Sequence, residues 1–139
     1  MDTNDSCPFC NLNDRVLKEN KQAILFLSNP KKTEGHLLVA PKRHIEKPWL
    51  LKNDELLSIY ELIHLVEKRL IGKIGDGFDI RQNYRPFMKP SRVKVDHVHY
   101  HVIPRTNEDR IYQISEKHDY ELWQDLSEEE YNKISKLLS

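Results

Sequence analysis

Of the seven histidines and two cysteines in this 139-residue chain, five residues fall in two short motifs with spacings suited to chemistry. The first motif is Asp96-His97-Val98-His99-Tyr100-His101-Val102-Ile103-Pro104-Arg105. On a strand, period-two alternation puts His97, His99 and His101 on one face, ~6.6–6.8 Å apart. Val98, Tyr100 and Val102 then turn to the other face and join a core. Three imidazoles are costly to bury without partners, so their face borders solvent, a metal or an anion. Neutral imidazole is a nucleophile and a metal ligand, and imidazolium donates to phosphate oxygens. A merely solvated histidine face is the alternative, but strict apolar alternation has little reason to choose histidine three times.

The second motif is Cys7-Pro8-Phe9-Cys10. A thioredoxin-like redox pair would end a strand and open a helix in a βαβ pattern, which the surrounding residues lack. Two unrelated thiols are a second reading. A third is half of a tetrahedral zinc site completed by two histidines.

The elements that must position these residues are legible in the periodicity. Ala23–Leu27 reads as a strand closed by Ser28-Asn29-Pro30, and Gly35–Ala40 as a second strand stopped at Pro41. A long helix is predicted from Asn53 as N-cap, with Leu56, Leu57, Tyr60, Ile63, Val66, Leu70 and Ile74 as its apolar stripe and Gly75 and Gly77 closing it. Phe78–Tyr84 alternates like a strand, and so does Val93–Ile103. Residues 106–126 show no clean period, and Ser127 with Glu130 makes a capping box for a helix ending near Leu138. The expected fold class is α+β, an antiparallel sheet of about five strands with one long helix and a short C-terminal helix.

Length and composition bound the functions that remain. A chain of 139 residues suits a single domain over 1–139. Lys plus Arg and Asp plus Glu both total 22, so no nucleic-acid partner working through bulk charge is expected. No apolar run approaches a membrane span. The polar N-terminus is not a secretory signal and two cysteines are too few for a disulfide scaffold, which points to a cytoplasmic protein.

The two histidine-bearing stretches together resemble the histidine triad (HIT) family of nucleotide hydrolases and transferases. His97-Val98-His99-Tyr100-His101-Val102-Ile103 meets its His-φ-His-φ-His-φ-φ motif, where φ is apolar. Gly35-His36-Leu37-Leu38-Val39-Ala40-Pro41-Lys42-Arg43-His44 meets its Gly-His-x-Leu-Val-x-Pro-x-x-His stretch. Asp109 to Asp119 is similar to the region after the triad in the dinucleoside-polyphosphate hydrolase branch, so the likeness spans about residues 7–118. It implies a HIT-like fold, a homodimer and a purine nucleotide substrate. His99 would be the nucleophile forming a nucleotidyl-histidine, His101 a phosphate-oxygen contact and His36 a support from the neighbouring strand. Gln82 and Asn83 would orient phosphate or leaving group. The zinc-bearing branch implies a structural Zn²⁺ on Cys7, Cys10, His44 and His97. The implied activity is hydrolysis of a nucleotide phosphoanhydride or phosphoramidate. Transfer to phosphate or a sugar phosphate, and a non-catalytic nucleotide-binding regulator, are the alternatives.

Two departures from the family stand out. Val93 occupies the place of a glutamine before the triad and cannot hydrogen-bond. Arg85, Lys89, Arg92 and Lys94 lie around it as an exposed basic loop or as substitute polyphosphate contacts. The stretch before Gly35 reads as one residue longer than the family's, so Leu27, Ser28 and Asn29 compete for the ribose, with Asn29 the candidate.

Overall fold

A computed structural model describes residues 3–139; Met1 and Asp2, the start of the polar N-terminal stretch, lie outside the described residues. Strands β1 (Val16–Glu19), β2 (Ala23–Leu27), β3 (Leu37–Pro41), β4 (Gly77–Gln82) and β5 (Tyr100–Arg105) form one antiparallel sheet in the order β1-β2-β3-β5-β4. Helices α1 (Asn53–Leu70), α2 (Arg110–Ile114) and α3 (Glu128–Leu138) complete the expected α+β class. Strand β1 gave no sequence signal because only Val16 of its four residues is even half-buried.

Both faces of the central strands are covered. Ala23, Leu25, Leu37, Val39 and Val102 pack against Ile59, Leu62, Ile63 and Val66 of α1. On the opposite face Ile24, Phe26, Leu38 and Ala40 gather with Leu12 and, from the N-terminal arm, Phe9. The arm therefore lies on the sheet face that α1 leaves free.

Helix α1 departs from its predicted stripe. Its N-cap is Lys52, and Glu55 takes the inward position in the first turn, accepting the Lys52 backbone N–H at 2.9 Å. Glu55 also accepts Nε and Nη2 of Arg43 at 3.0 and 2.8 Å, which holds its carboxyl below the usual range. The buried positions are thus Glu55, Ser58, Ile59, Leu62, Ile63 and Val66, while Leu57 is 67% exposed. The helix stops at Leu70, before Gly72 at φ 75°, so Ile74 is free to pack against Gly35. Gly35 itself has φ 79°, and a Cβ there would stand 2.8 Å from Ile74 Cγ2, so no side chain fits immediately before His36.

The predicted Val93–Ile103 strand is shorter in fact. Ser91 and Lys94 bridge a turn, and regular pairing starts at Tyr100. Register then sets the faces: Leu38 opposes His101, Leu37 opposes Val102, and Arg81 opposes His101 from β4. His101 therefore faces away from α1, and Val102 toward it.

Residues beyond β5 are held by charge rather than burial. Arg105 donates from Nε to Asp109 at 2.7 Å, from Nη1 to Asp79 at 2.6 Å and Glu116 at 3.0 Å, and from Nη2 to Asp109 at 3.0 Å and again to Glu116. These pairs push Arg105 further up and Asp109 well below the carboxylate range. Such contacts leave no hydrophobic period, which is why 106–126 was silent. The predicted capping box start of α3 is present, with Ser127 Oγ accepting the Glu130 N–H at 3.1 Å. Among the described residues, no helix is long and apolar enough to cross a membrane.

Candidate functional site

The segment leading into β5, bent at Asp96 and His97, carries His97 and His99, and one backbone carbonyl orients the second ring. His99 Nδ1 lies 2.7 Å from the carbonyl oxygen of His97. A carbonyl only accepts, so Nδ1 carries the proton and Nε2 keeps its lone pair. Burial lowers the His99 pKa, which keeps that lone pair available. The ring of Phe9 packs edge-on against His99 with centroids 5.0 Å apart, and His99 packs likewise against His101 at 5.0 Å.

His36, placed by Gly35 at the start of β3, is buried beside His101. Its Nδ1 accepts the Lys32 backbone N–H at 3.0 Å, so its proton sits on Nε2. Nε2 lies 2.9 Å from His101 Nδ1 and donates to it, which leaves His101 with Nε2–H as its remaining donor. Burial, then the nearby Lys32 and Arg81, pushes His36 down to about 4. Burial, then His99 and His36, pushes His101 down to about 3. Both are neutral at pH 7, so the site presents a lone pair on His99 and a neutral N–H donor on His101.

The N-terminal arm brings Cys7 and Cys10 to His44 and His97, with all four ligand atoms within 4.8 Å of one another. His97 Nδ1 is 3.5 Å from Cys7 Sγ and 3.6 Å from Cys10 Sγ, and His44 Nδ1 is 3.4 Å from Cys10 Sγ. A tetrahedral zinc with Zn–S about 2.3 Å and Zn–N about 2.0–2.1 Å sets S···N edges of about 3.6 Å, so the cluster has the right size. Each imidazole is also prepared for Nδ1 ligation. His97 Nε2 donates to the Pro41 carbonyl at 2.8 Å, and His44 Nε2 to the Glu46 carboxylate at 3.1 Å. The donor set fits Zn²⁺ and leaves no open position.

A cavity of ≈ 280 Å³ opens beside the triad and is lined by His97, His99 and His101 together with Asn83, Tyr84, Arg85, Val93 and Lys47. Of the predicted polar pair, Asn83 lines it and Gln82 does not. Gln82 opposes Tyr100, whose ring packs toward α1, and its amide donates to the Asn83 carbonyl at 2.9 Å. Asn29 also lies apart from the cavity lining, accepting from Arg92 Nη2 at 3.4 Å. Ser28, whose N–H donates to the His36 carbonyl at 2.9 Å, follows Phe26 by two and shares the His36 face. Sequence reasoning passed over Phe9 altogether, although its place inside the Cys-x-x-Cys ties it to the metal cluster. His64 and His118 are exposed and stand outside this site.

Known proteins resemble this chain in sequence and in fold. The HIT domain family matches residues 11–108. An adenosine 5'-monophosphoramidase of Schizosaccharomyces pombe is 32% identical over 112 residues, covering 75% of this chain and 77% of that protein. An uncharacterised HIT-like protein of Methanocaldococcus jannaschii is 30% identical over 105 residues, covering 71% and 78%. Among solved structures, a HIT family protein of Bacillus anthracis superposes with TM-score 0.71 over 98% of this chain and 96% of that one, at 22% identity. A zinc-bound histidine triad family protein of Mycobacterium smegmatis gives TM-score 0.63 at 26% identity, covering 76% and 78%. The triad with its supporting fourth histidine, the five-stranded sheet that carries them and a match over most of the chain agree: this protein belongs to the HIT domain family.

Proposed function

We propose that the protein is a nucleotide hydrolase working through a nucleotidyl-His99 intermediate. The observation that carries this reading is the 2.7 Å contact from His99 Nδ1 to the His97 carbonyl, which leaves Nε2 as a nucleophile at the cavity. The Nε2 lone pair attacks the α-phosphorus of a purine nucleotide, and the bond to the leaving oxygen or nitrogen breaks with its electron pair. Water then attacks the same phosphorus, returns the lone pair to Nε2 and releases the nucleoside monophosphate. Splitting one displacement into two lowers each barrier. His101 Nε2–H and Asn83 stabilise the charge on phosphate oxygens, and His36 holds His101 in its tautomer. Ser28, on the His36 face, flanks the ribose side in place of Asn29.

A structural Zn²⁺ on Cys7, Cys10, His44 and His97 pins the N-terminal arm to the segment bearing the His97 carbonyl. Two copies form a homodimer, for which β4 offers a free sheet edge and α1 the exposed Leu57 and Tyr60.

Trapping tests the reading: brief incubation with a labelled nucleotide and an acid-sparing quench should leave label on His99. Val93, 73% exposed in the cavity wall without a polar atom, favours a second reading, a nucleotide-binding regulator. Binding without label transfer would select it. If phosphate or a sugar phosphate discharges the intermediate faster than water, the protein is a nucleotidyltransferase.

A further inference from the structure

Besides the histidines, one wall of the triad cavity carries charge that nucleotidyl transfer itself does not require. Among the side chains there, Lys94 is paired with Asp96, while the Glu46 carboxylate accepts a hydrogen bond from His44 Nε2. Arg85 and Lys47 have no carboxylate within ion-pair distance among the described residues, and Lys47 Nζ sits 5.9 Å over the Trp49 ring. Arg85 and Lys47 therefore bring two positive charges to the cavity against the single carboxylate of Glu46, an excess of positive charge. A third cation stands near: Lys32, beside His36, has its pKa lowered by burial and by Arg81 and Arg85. The same wall holds Val93, which offers nothing to a neutral nitrogen or oxygen.

We propose that Arg85 and Lys47 make this wall the acceptor for an anionic, phosphate-bearing leaving group, so that the chain favours a nucleotide phosphoanhydride over a phosphoramidate. The inference rests on the nucleotidyl-His99 reading above. The two bond cleavages differ in the charge they need. When His99 Nε2 forms its bond to the α-phosphorus of an anhydride, the P–O bond breaks and the electron pair leaves on a phosphate oxygen. Fixed cations stabilise that developing charge without any proton transfer. When a P–N bond breaks instead, the amine must gain a proton to depart, and the cations repel the ammonium character that develops. Arg85 and Lys47 are thus specificity-determining residues, in contrast to what a phosphoramidase requires of the same wall.

The test compares two substrates sharing one nucleotidyl group, diadenosine triphosphate and adenosine 5'-monophosphoramidate, in the full-length protein and in Arg85→Gln/Lys47→Gln. The unaltered protein should show the higher kcat/KM for the anhydride. In the double variant the anhydride-to-amidate ratio should fall by about tenfold or more, as expected on losing charge-assisted contacts to phosphate. Arg85→Glu should lower the ratio further, and added salt should lower anhydride turnover more steeply than amidate turnover. An unaltered protein that prefers the amidate, or a ratio that holds in both variants, overturns the assignment while leaving the His99 mechanism standing. Turnover of neither substrate, with no label on His99, removes the functional reading and this inference with it.

Discussion

His36 Nε2 and His101 Nδ1 stand 2.9 Å apart, and the backbone N–H of Lys32 closes the far end of the pair at 3.0 Å. A backbone amide can only donate, so the direction of both hydrogen bonds is dictated from one end. The arrangement exists only while both rings are neutral.

That requirement gives a pH dependence. His36 titrates near 4 in the folded protein and near 6.5 unfolded. Below 6.5 the unfolded chain binds the proton first, so folding stability is full above about pH 6.5 and falls as pH drops toward 4. His101, at about 3, acts in the same direction. Denaturant unfolding between pH 7.5 and 4 should show a loss on the order of 3 kcal/mol from His36 alone. His36→Gln, which cannot titrate, should flatten the curve; a stability that rises toward acid would refute the neutral pair.

His99→Ala should remove the nucleophile and leave the fold intact. Turnover should fall by roughly four orders of magnitude or more, as for other nucleophiles acting in a unit. Initial rates, with circular dichroism and nucleotide binding on the same sample, check this. Near wild-type activity would end the mechanism.

Asn83 and Gln82 should behave unequally. Asn83→Ala removes a polar group from the cavity and should cost about 10- to 100-fold in kcat/KM, somewhat less than losing a full oxyanion-hole donor. Gln82→Ala should cost under about threefold, because its amide is turned to the Asn83 carbonyl. Equal losses would show that the end of β4 rearranges around substrate.

Elemental analysis should find about one zinc per chain. Chelation, Cys7→Ser and His44→Ala should each lower the Tm, because metal-binding free energy is folding free energy. Activity should fall along with metal content, since the His97 carbonyl that orients His99 belongs to a ligand residue. Metal-free protein with an unchanged Tm would leave Cys7 and Cys10 as ordinary thiols.

The Arg43–Glu55 pair anchors the His44 loop to the first turn of α1. Glu55 is 2% exposed and accepts two guanidinium hydrogen bonds, so Glu55→Ala removes charge-assisted bonds and should cost about 1.5–3 kcal/mol. Arg43→Met/Glu55→Leu together should cost less than either loss suggests. A double-mutant cycle by urea unfolding measures the coupling.

The residues legible from sequence are those whose chemistry imposes a type at a fixed spacing. The triad, Gly35-His36 and the cysteine pair belong to this class, and the structure brings them together. What escaped was decided by parity or by distant partners. Gln82 and Asn83 differ by one position, and so do Ser28 and Asn29; one residue along a strand exchanges its two faces. Glu55 reads as an ordinary first-turn acid until Arg43, twelve residues earlier, is seen beside it. Strand β1 is short and exposed, and the segment after β5 is fastened by ion pairs, so neither writes a hydrophobic period.

Arg105 also determines how the molecule would carry load. Its guanidinium grips Asp109 and Glu116 from the C-terminal segment and Asp79 from β4. A pull on the C-terminus meets this clamp first, and because Arg105 is the last residue of β5 the force is shared between β5 and, through Asp79, β4. Load on the segment after β5 is in this way spread over two neighbouring strands instead of falling on the one that carries His101 alone.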